Sequence, residues 1–542
     1  MLISAAMTRP IVIFLLLISL TTSAVPGQTP TSTVSDPIAR TNEDPIARIK
    51  EEGLTRSELI KTLTYLTDVI GPRLTNSPNY RRASVWTRDR LTSWGLTKAH
   101  LEPWGPFGRG WEVKRFSAQV IEPQAIPLIA YPLAWSPPTN GELTSEVVYL
   151  DAASEADFSK FKGQLKGKIV LLGDVRKVEA HFDPLARRWN DFDMLQFAND
   201  QPYPPDNGNI LVAPSEQQLK SVKFRSASLR FAFEEGAALL MSPSRQGDGG
   251  TIYVQAAELP RPLNGSSTRA FSKEAKTVPQ VVVSVEQYNR MVRMIQAGER
   301  LKVAVDLSVK FYDDDLMSSH TIAEIPGSDL KDEIVMMGAH LDSWHSGTGA
   351  TDNGGGVAVM MEVARIISAL QLKPRRTIRI ALWGGEENFG ASRFYVRQHF
   401  GHWETNSENK RTLIKEPEYD RLSAYLNLDA GTGKVRGVFL ANNEALRSVF
   451  RPWLEPLRSL GVTTITSNGD WGSDFVFFDE IGIPIVNFIQ DEIEYETRTH
   501  HSNEDVFDRI QADDLKQAAV VVATFAYQIA MRDEKLPHKT LN

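Results

Sequence analysis

The run Ile334-Val335-Met336-Met337-Gly338-Ala339-His340-Leu341-Asp342, then Ala350-Thr351-Asp352-Asn353-Gly354-Gly355-Gly356 and the apolar stretch Val357 to Leu370, decides how this chain is read. The first four residues predict a strand and the last stretch a helix, with a glycine-rich turn opening it. The alternation continues downstream. Thr377 to Trp383, Ala424 to Leu428 and Pro484 to Ile489 predict strands, and Asp513 to Ala530 a closing helix. Strands alternating with helices imply an α/β domain, with a mixed, mostly parallel sheet flanked by helices.

Upstream, residues from about Ile46 to Leu96 show apolar positions at helical spacing, broken by turns at Gly71-Pro72-Arg73 and Ser77-Pro78-Asn79. From about 124 to 309 the texture changes to short β-type runs. These are Glu146 to Leu150, Lys168 to Leu172, Thr251 to Val254 and Val281 to Val283, and they predict a β-rich insert. Arg187 to Asn209, aromatic and proline-containing, is expected to be a long surface loop. The N-terminus has Arg9, an apolar run from Ile11 to Leu20 and small residues at Thr22, Ser23 and Ala24, which is the pattern of an export signal. The expected layout is a signal peptide over 1–24, a leader over 25–45, the opening of the catalytic domain over 46–123, the insert over 124–309 and the catalytic domain over 310–535. A secreted or periplasmic protein with no membrane association after cleavage follows from that reading.

Composition narrows the function. The chain has 542 residues, 42% of them hydrophobic, and a net charge of -7. No basic stripe exists to neutralise phosphates, so no nucleic-acid partner is expected. The absence of cysteine excludes disulfides, thiolate metal sites and a cysteine nucleophile. No Gly-x-Ser-x-Gly elbow and no His-Glu-x-x-His helix is present.

Acid and imidazole groups recur where the predicted strands end: His340 and Asp342, Asp352, Glu386 and Glu387, Asp429, and late in the chain His500 and His501. Taken singly, each has an ordinary structural role. Asp352 would cap a helix, the glutamates would open one, and Asp429 would sit in a turn. Taken together, they fall where open α/β sheets bind ligands, beyond the carboxyl ends of the strands. Histidine and carboxylate donors without cysteine suit zinc or a related divalent ion. Three carboxylates and two histidines exceed the need of one catalytic zinc, and two ions sharing a carboxylate would use them all.

The segments Gly-Ala-His-Leu-Asp-Ser, Ala-Thr-Asp-Asn-Gly-Gly-Gly, Gly-Gly-Glu-Glu and His-Ser-x-x-Asp resemble those of the M28 family of zinc exopeptidases, and the insert resembles a protease-associated domain more weakly. The resemblance implies the zinc-exopeptidase fold, two Zn2+ ions and a peptide substrate cut at a terminus. It implies His340 and Asp429 on one ion, Glu387 and a late histidine on the other, and Asp352 bridging. Glu386 would be the general base and Asp342 a group that orients the site. His501 fits the late position better than His500, because Ser502 and Asp505 follow it at the family spacing. Phe475 stands where many relatives carry histidine. A catalytically altered binding protein of this fold would have lost ligands. A single-metal glutaminyl cyclase-like transferase would not need the whole set.

Overall fold

The computed structural model describes residues 44–201, 215–260, 268–469 and 472–541. The expected signal segment and nearly all of the leader lie outside the described residues. Pro45 opens the first helix, Pro45–Thr55. Among the described residues no helix is long and apolar enough to cross a membrane.

Among the described residues, the first of two large sheets has eight strands. Their spatial order is Thr97–Trp104, Ser318–Ile325, Arg376–Trp383, Leu330–His340, Leu422–Asn427, Ile485–Gln490, Val435–Phe439 and Thr464–Thr466. The four middle strands run parallel, and the flanking pairings are mixed. The fold is thus the mixed α/β architecture that the alternation predicted. Side chains alternate across a strand. Val335, Met337 and Ala339 therefore join one core with the helices Pro45–Thr55, Pro78–Ser93, Gly355–Ala369 and Ala512–Met531, while Ile334 and Met336 join another with Tyr395, Phe400 and Phe478. With both faces covered, the middle strands carry apolar runs such as Ile334 to Met337 that do not alternate with polar residues, as buried parallel strands do, and the buried Arg379 is paired with Glu324 and Glu418. Truncating Met337, which is fully buried, to alanine would cost about 2–5 kcal/mol.

Several local expectations change. Ser77-Pro78-Asn79 is the start of a helix rather than a turn between helices. Ser77 Oγ accepts from the Tyr80 N–H, and Pro78 occupies the first helical position, where its missing N–H is not needed. Arg187 to Asn209 is not one irregular loop. Asn190 caps a helix over Asp191–Ala198, and Trp189 and Phe197 are buried against Phe439 and Ile489. Residues 202–209 lie outside the described residues.

The second sheet also has eight strands. It runs Ile126–Pro127, Gly110–Glu122, Lys302–Tyr312, Glu142–Tyr149, Ile169–Leu171, Leu239–Pro243, Gln280–Val283 and Ala130–Pro132. Its first long strand begins ahead of residue 124 and its last long strand extends past 309. Thr251 to Val254 is not a strand of this sheet. Its Tyr253 instead forms an isolated antiparallel bridge with Ser502.

Candidate metal centre

Parallel strands bring their carboxyl ends to one edge, and the acidic and imidazole groups gather there. His340 is the last residue of its strand. Glu386 and Glu387 follow the strand ending at Trp383 through Gly384 and Gly385. Both glycines are required. A Cβ on Gly384 would lie 1.8 Å from the Tyr80 hydroxyl, and Gly385 has φ +94 with the Trp104 ring 2.5 Å from where a Cβ would stand. Asp429 follows the strand Leu422–Asn427. Asp352 lies in the turn before the helix Gly355–Ala369. Its neighbour Asn353 fixes that turn by donating to Leu428 O at 2.8 Å and accepting from the Gly356 N–H at 2.9 Å.

Two donor sets meet at Asp352. His340 Nε2 is 3.2 Å from Asp352 Oδ1 and 3.2 Å from Asp429 Oδ1. On the other side, His501 Nε2 is 3.4 Å from Asp352 Oδ2 and 3.0 Å from Glu387 Oε2. His500 Nε2 stands farther off, 3.9 Å from Asp352 Oδ2, with its ring stacked on Tyr495. His340, Asp352 and Asp429 form one group able to hold a metal ion, and Asp352, His500 and His501 another.

This donor chemistry fits divalent ions. Ligands about 2.0–2.1 Å from a tetrahedral zinc stand roughly 3.3 Å apart, close to the spacings here. Asp352 Oδ2 and both oxygens of Glu387 are buried and accept no hydrogen bond. Unpaired buried carboxylate oxygens are costly unless a cation meets them. His340 is prepared as well. Its Nδ1 is 3.0 Å from the Asp342 carbonyl oxygen, which can only accept, so the neutral ring keeps its lone pair on Nε2.

The electrostatics agree. Burial opposes charge on His340, but Asp429 and its hydrogen bonds to Asp342, Asp352 and Asp429 hold its imidazole well above the usual value. Burial likewise opposes charge on Asp352, yet the His340 hydrogen bond and the charges of His501, His500 and His340 keep its carboxyl below the usual range. Burial pushes Glu386 and Glu387 well up, and pushes the His501 imidazole down to about 4. The field that would protonate His340 also attracts a divalent cation, and the neutral His501 is ready to ligate one.

Supporting residues surround the cluster. Asp342 accepts from Thr75 Oγ1 at 2.6 Å and from the Glu386 N–H at 3.3 Å. Ser473 Oγ donates to Asp429 Oδ2 at 2.5 Å. Asp505 accepts from the Thr351 N–H and Oγ1, fixing the residue before Asp352. Phe475 is buried in the second core cluster. Thr75 and Ser473 were not singled out as partners from sequence, and no spacing or composition signal marks Thr75. A cavity of about 510 Å³ adjoins the centre. Glu387, Trp344, Arg225, Gln255, Glu258 and Phe271 are among the residues that line it.

Known proteins resemble this chain in sequence and in fold. Residues 320–526 match peptidase family M28. Carboxypeptidase Q of Homo sapiens is 27% identical over 487 residues, covering 90% of this chain and 88% of that protein. Aminopeptidase YwaD of Bacillus subtilis is 29% identical over 212 residues, 38% of this chain and 43% of that one. Among solved structures, a peptidase M28 precursor from Shewanella amazonensis superposes with TM-score 0.62 at 24% identity, covering 94% of this chain and all of the other. A zinc aminopeptidase from Bacillus subtilis gives 0.53 at 19%, covering 88% and 95%.

Proposed function

The chain belongs among the M28 zinc metallopeptidases, and from that premise we propose that it is an exported exopeptidase with two ions sharing Asp352. The observation that carries this is the pair of donor sets on opposite oxygens of Asp352, at 3.2 and 3.4 Å. His340 and Asp429 would hold one ion, and Glu387 and His501 the other. Ions bound there would supply Lewis acidity toward a carbonyl oxygen and toward water. Glu386 takes the proton of the attacking water and passes it to the leaving amine nitrogen. It is half-buried, and the loss of solvent around its carboxyl raises its proton affinity, as suits a base that must also act as an acid. Asp342 holds the Glu386 backbone and the His340 ring in register.

Arg245 supports a reading of which terminus is recognised. Its side chain is exposed to solvent, and the protein around it lowers its pKa by desolvation. It forms no ion pair among the described residues, and its side-chain hydrogen bond is a 3.5 Å contact to Gln255, which lines the cavity. It is close enough to oppose protonation of His501. An unpaired guanidinium at this position suits a free carboxylate on a short peptide. A panel of dipeptides with free, amidated and acetylated ends tests both parts. Metal-dependent cleavage that needs a free C-terminus is expected. No metal-dependent cleavage of any peptide would overturn the functional reading.

A further inference from the structure

The loop bearing His501 is gripped by a segment that lies, in sequence, between the strands Leu239–Pro243 and Gln280–Val283 of the second sheet. His501 has φ +59. That left-handed conformation costs a non-glycine residue about 1–2 kcal/mol and persists where the surroundings over-determine it. The surroundings here are residues 250–254. The Val254 N–H donates to His501 O at 3.0 Å, and the Asn503 N–H donates to Ile252 O at 3.0 Å. The Ile252 N–H donates to Asn503 Oδ1 at 2.6 Å, and Asn503 Nδ2 donates to Gly250 O at 3.3 Å. Between them Tyr253 bridges Ser502. The His501 carbonyl and the chain that follows it, through Ser502 and Asn503, are thus tied to one short segment. Its imidazole is left facing Glu387 and Asp352, with the Trp344 ring 5.8 Å away. His340 and Asp429 have other supports, the Asp342 carbonyl and Ser473.

We propose that residues 250–254 are a positioning clamp for the ion held by Glu387 and His501, and that Asn503 is the positioning residue joining clamp to loop. The clamp sets the affinity of that ion and leaves the His340–Asp429 ion alone. This explains why Ile252 and Val254, in a segment β-prone in composition, take backbone partners from the metal loop. The inference rests on the two-ion reading. Groups that orient a metal ligand typically change metal affinity about 10–100-fold when removed.

The test is zinc titration of the metal-free full chain against a competing chelator, for the wild type, Asn503→Ala and Val254→Pro. The first variant removes both side-chain bonds of Asn503, and the second removes the N–H that meets His501 O. In each, one ion should keep its wild-type affinity and the other bind about 10–100-fold more weakly. Amide exchange at Ile252 should quicken in Asn503→Ala while the melting temperature of the metal-free chain stays close to wild type. If Val254→Pro does not fold, Asn503→Ala decides alone. Unchanged affinity for both ions, or equal weakening of both, overturns the clamp. A wild-type chain that takes up a single ion overturns the two-ion reading and the clamp with it.

Discussion

Glu387 Oε2 lies 3.0 Å from His501 Nε2, and neither oxygen of the Glu387 carboxylate accepts a hydrogen bond. The adjacent glutamate is placed differently, with its backbone N–H on Asp342. The two should therefore fail in different ways. Glu386→Gln should keep two ions and a wild-type melting temperature while kcat falls about 10²–10⁴-fold, the usual worth of a general base. Glu387→Gln should lose one ion. Metal analysis beside steady-state kinetics separates them, and reversed phenotypes would exchange the two roles.

The neighbouring histidines should also separate. His501→Ala should weaken one ion by at least about tenfold. His500→Ala, which removes a ring stacked on Tyr495 and 3.9 Å from Asp352, should change metal affinity little. Chelator competition on both variants measures this. A larger loss in His500→Ala would move the ligand by one position.

Much of the sheet was legible because its middle strands are buried on both faces, which leaves compact apolar runs such as Ile334 to Met337 in the sequence. The cluster was legible for a related reason. Parallel strands deliver their ends to one edge, so His340, Glu387 and Asp429, remote in sequence, could be expected to meet. What stayed hidden depends on contacts between distant segments. Thr251 to Val254 has strand composition, but its partner is the His501 loop, which periodicity cannot reveal. Trp189 looks like part of a surface loop until Phe439 and Ile489 are seen to bury it. Thr75 carries no pattern of its own, and only the fold sets it 2.6 Å from Asp342.

Arg245 offers a test of substrate choice. Arg245→Met should raise KM for dipeptides with a free C-terminus about 10–100-fold, the worth of one hydrogen bond to a charged group, with little change for amidated peptides. Equal effects on both classes, or none, would remove Arg245 from recognition of the carboxylate.

Away from the site, His399 gives a pH signature. Its Nε2 is 2.7 Å from Glu102, and Glu418 lies 3.5 Å from its Nδ1. Burial opposes its charge, but these two carboxylates raise its pKa to about 9. The unfolded value is near 6.5, so this stabilisation is complete below that pH and is lost as pH rises toward 9. It amounts to about 3 kcal/mol at most. Denaturant melts of the wild type and His399→Gln across pH 6 to 10 should show the wild type losing more stability over that window. Parallel curves would mean the triad contributes nothing.

The central claim is that two ions share Asp352, and metal counting tests it most directly. The metal-free chain is titrated with zinc, and bound zinc per chain is measured by elemental analysis alongside peptidase activity. The account predicts close to two ions per chain at saturation, with full activity reached only as the second site fills. A stable chain holding one ion at full activity would contradict it.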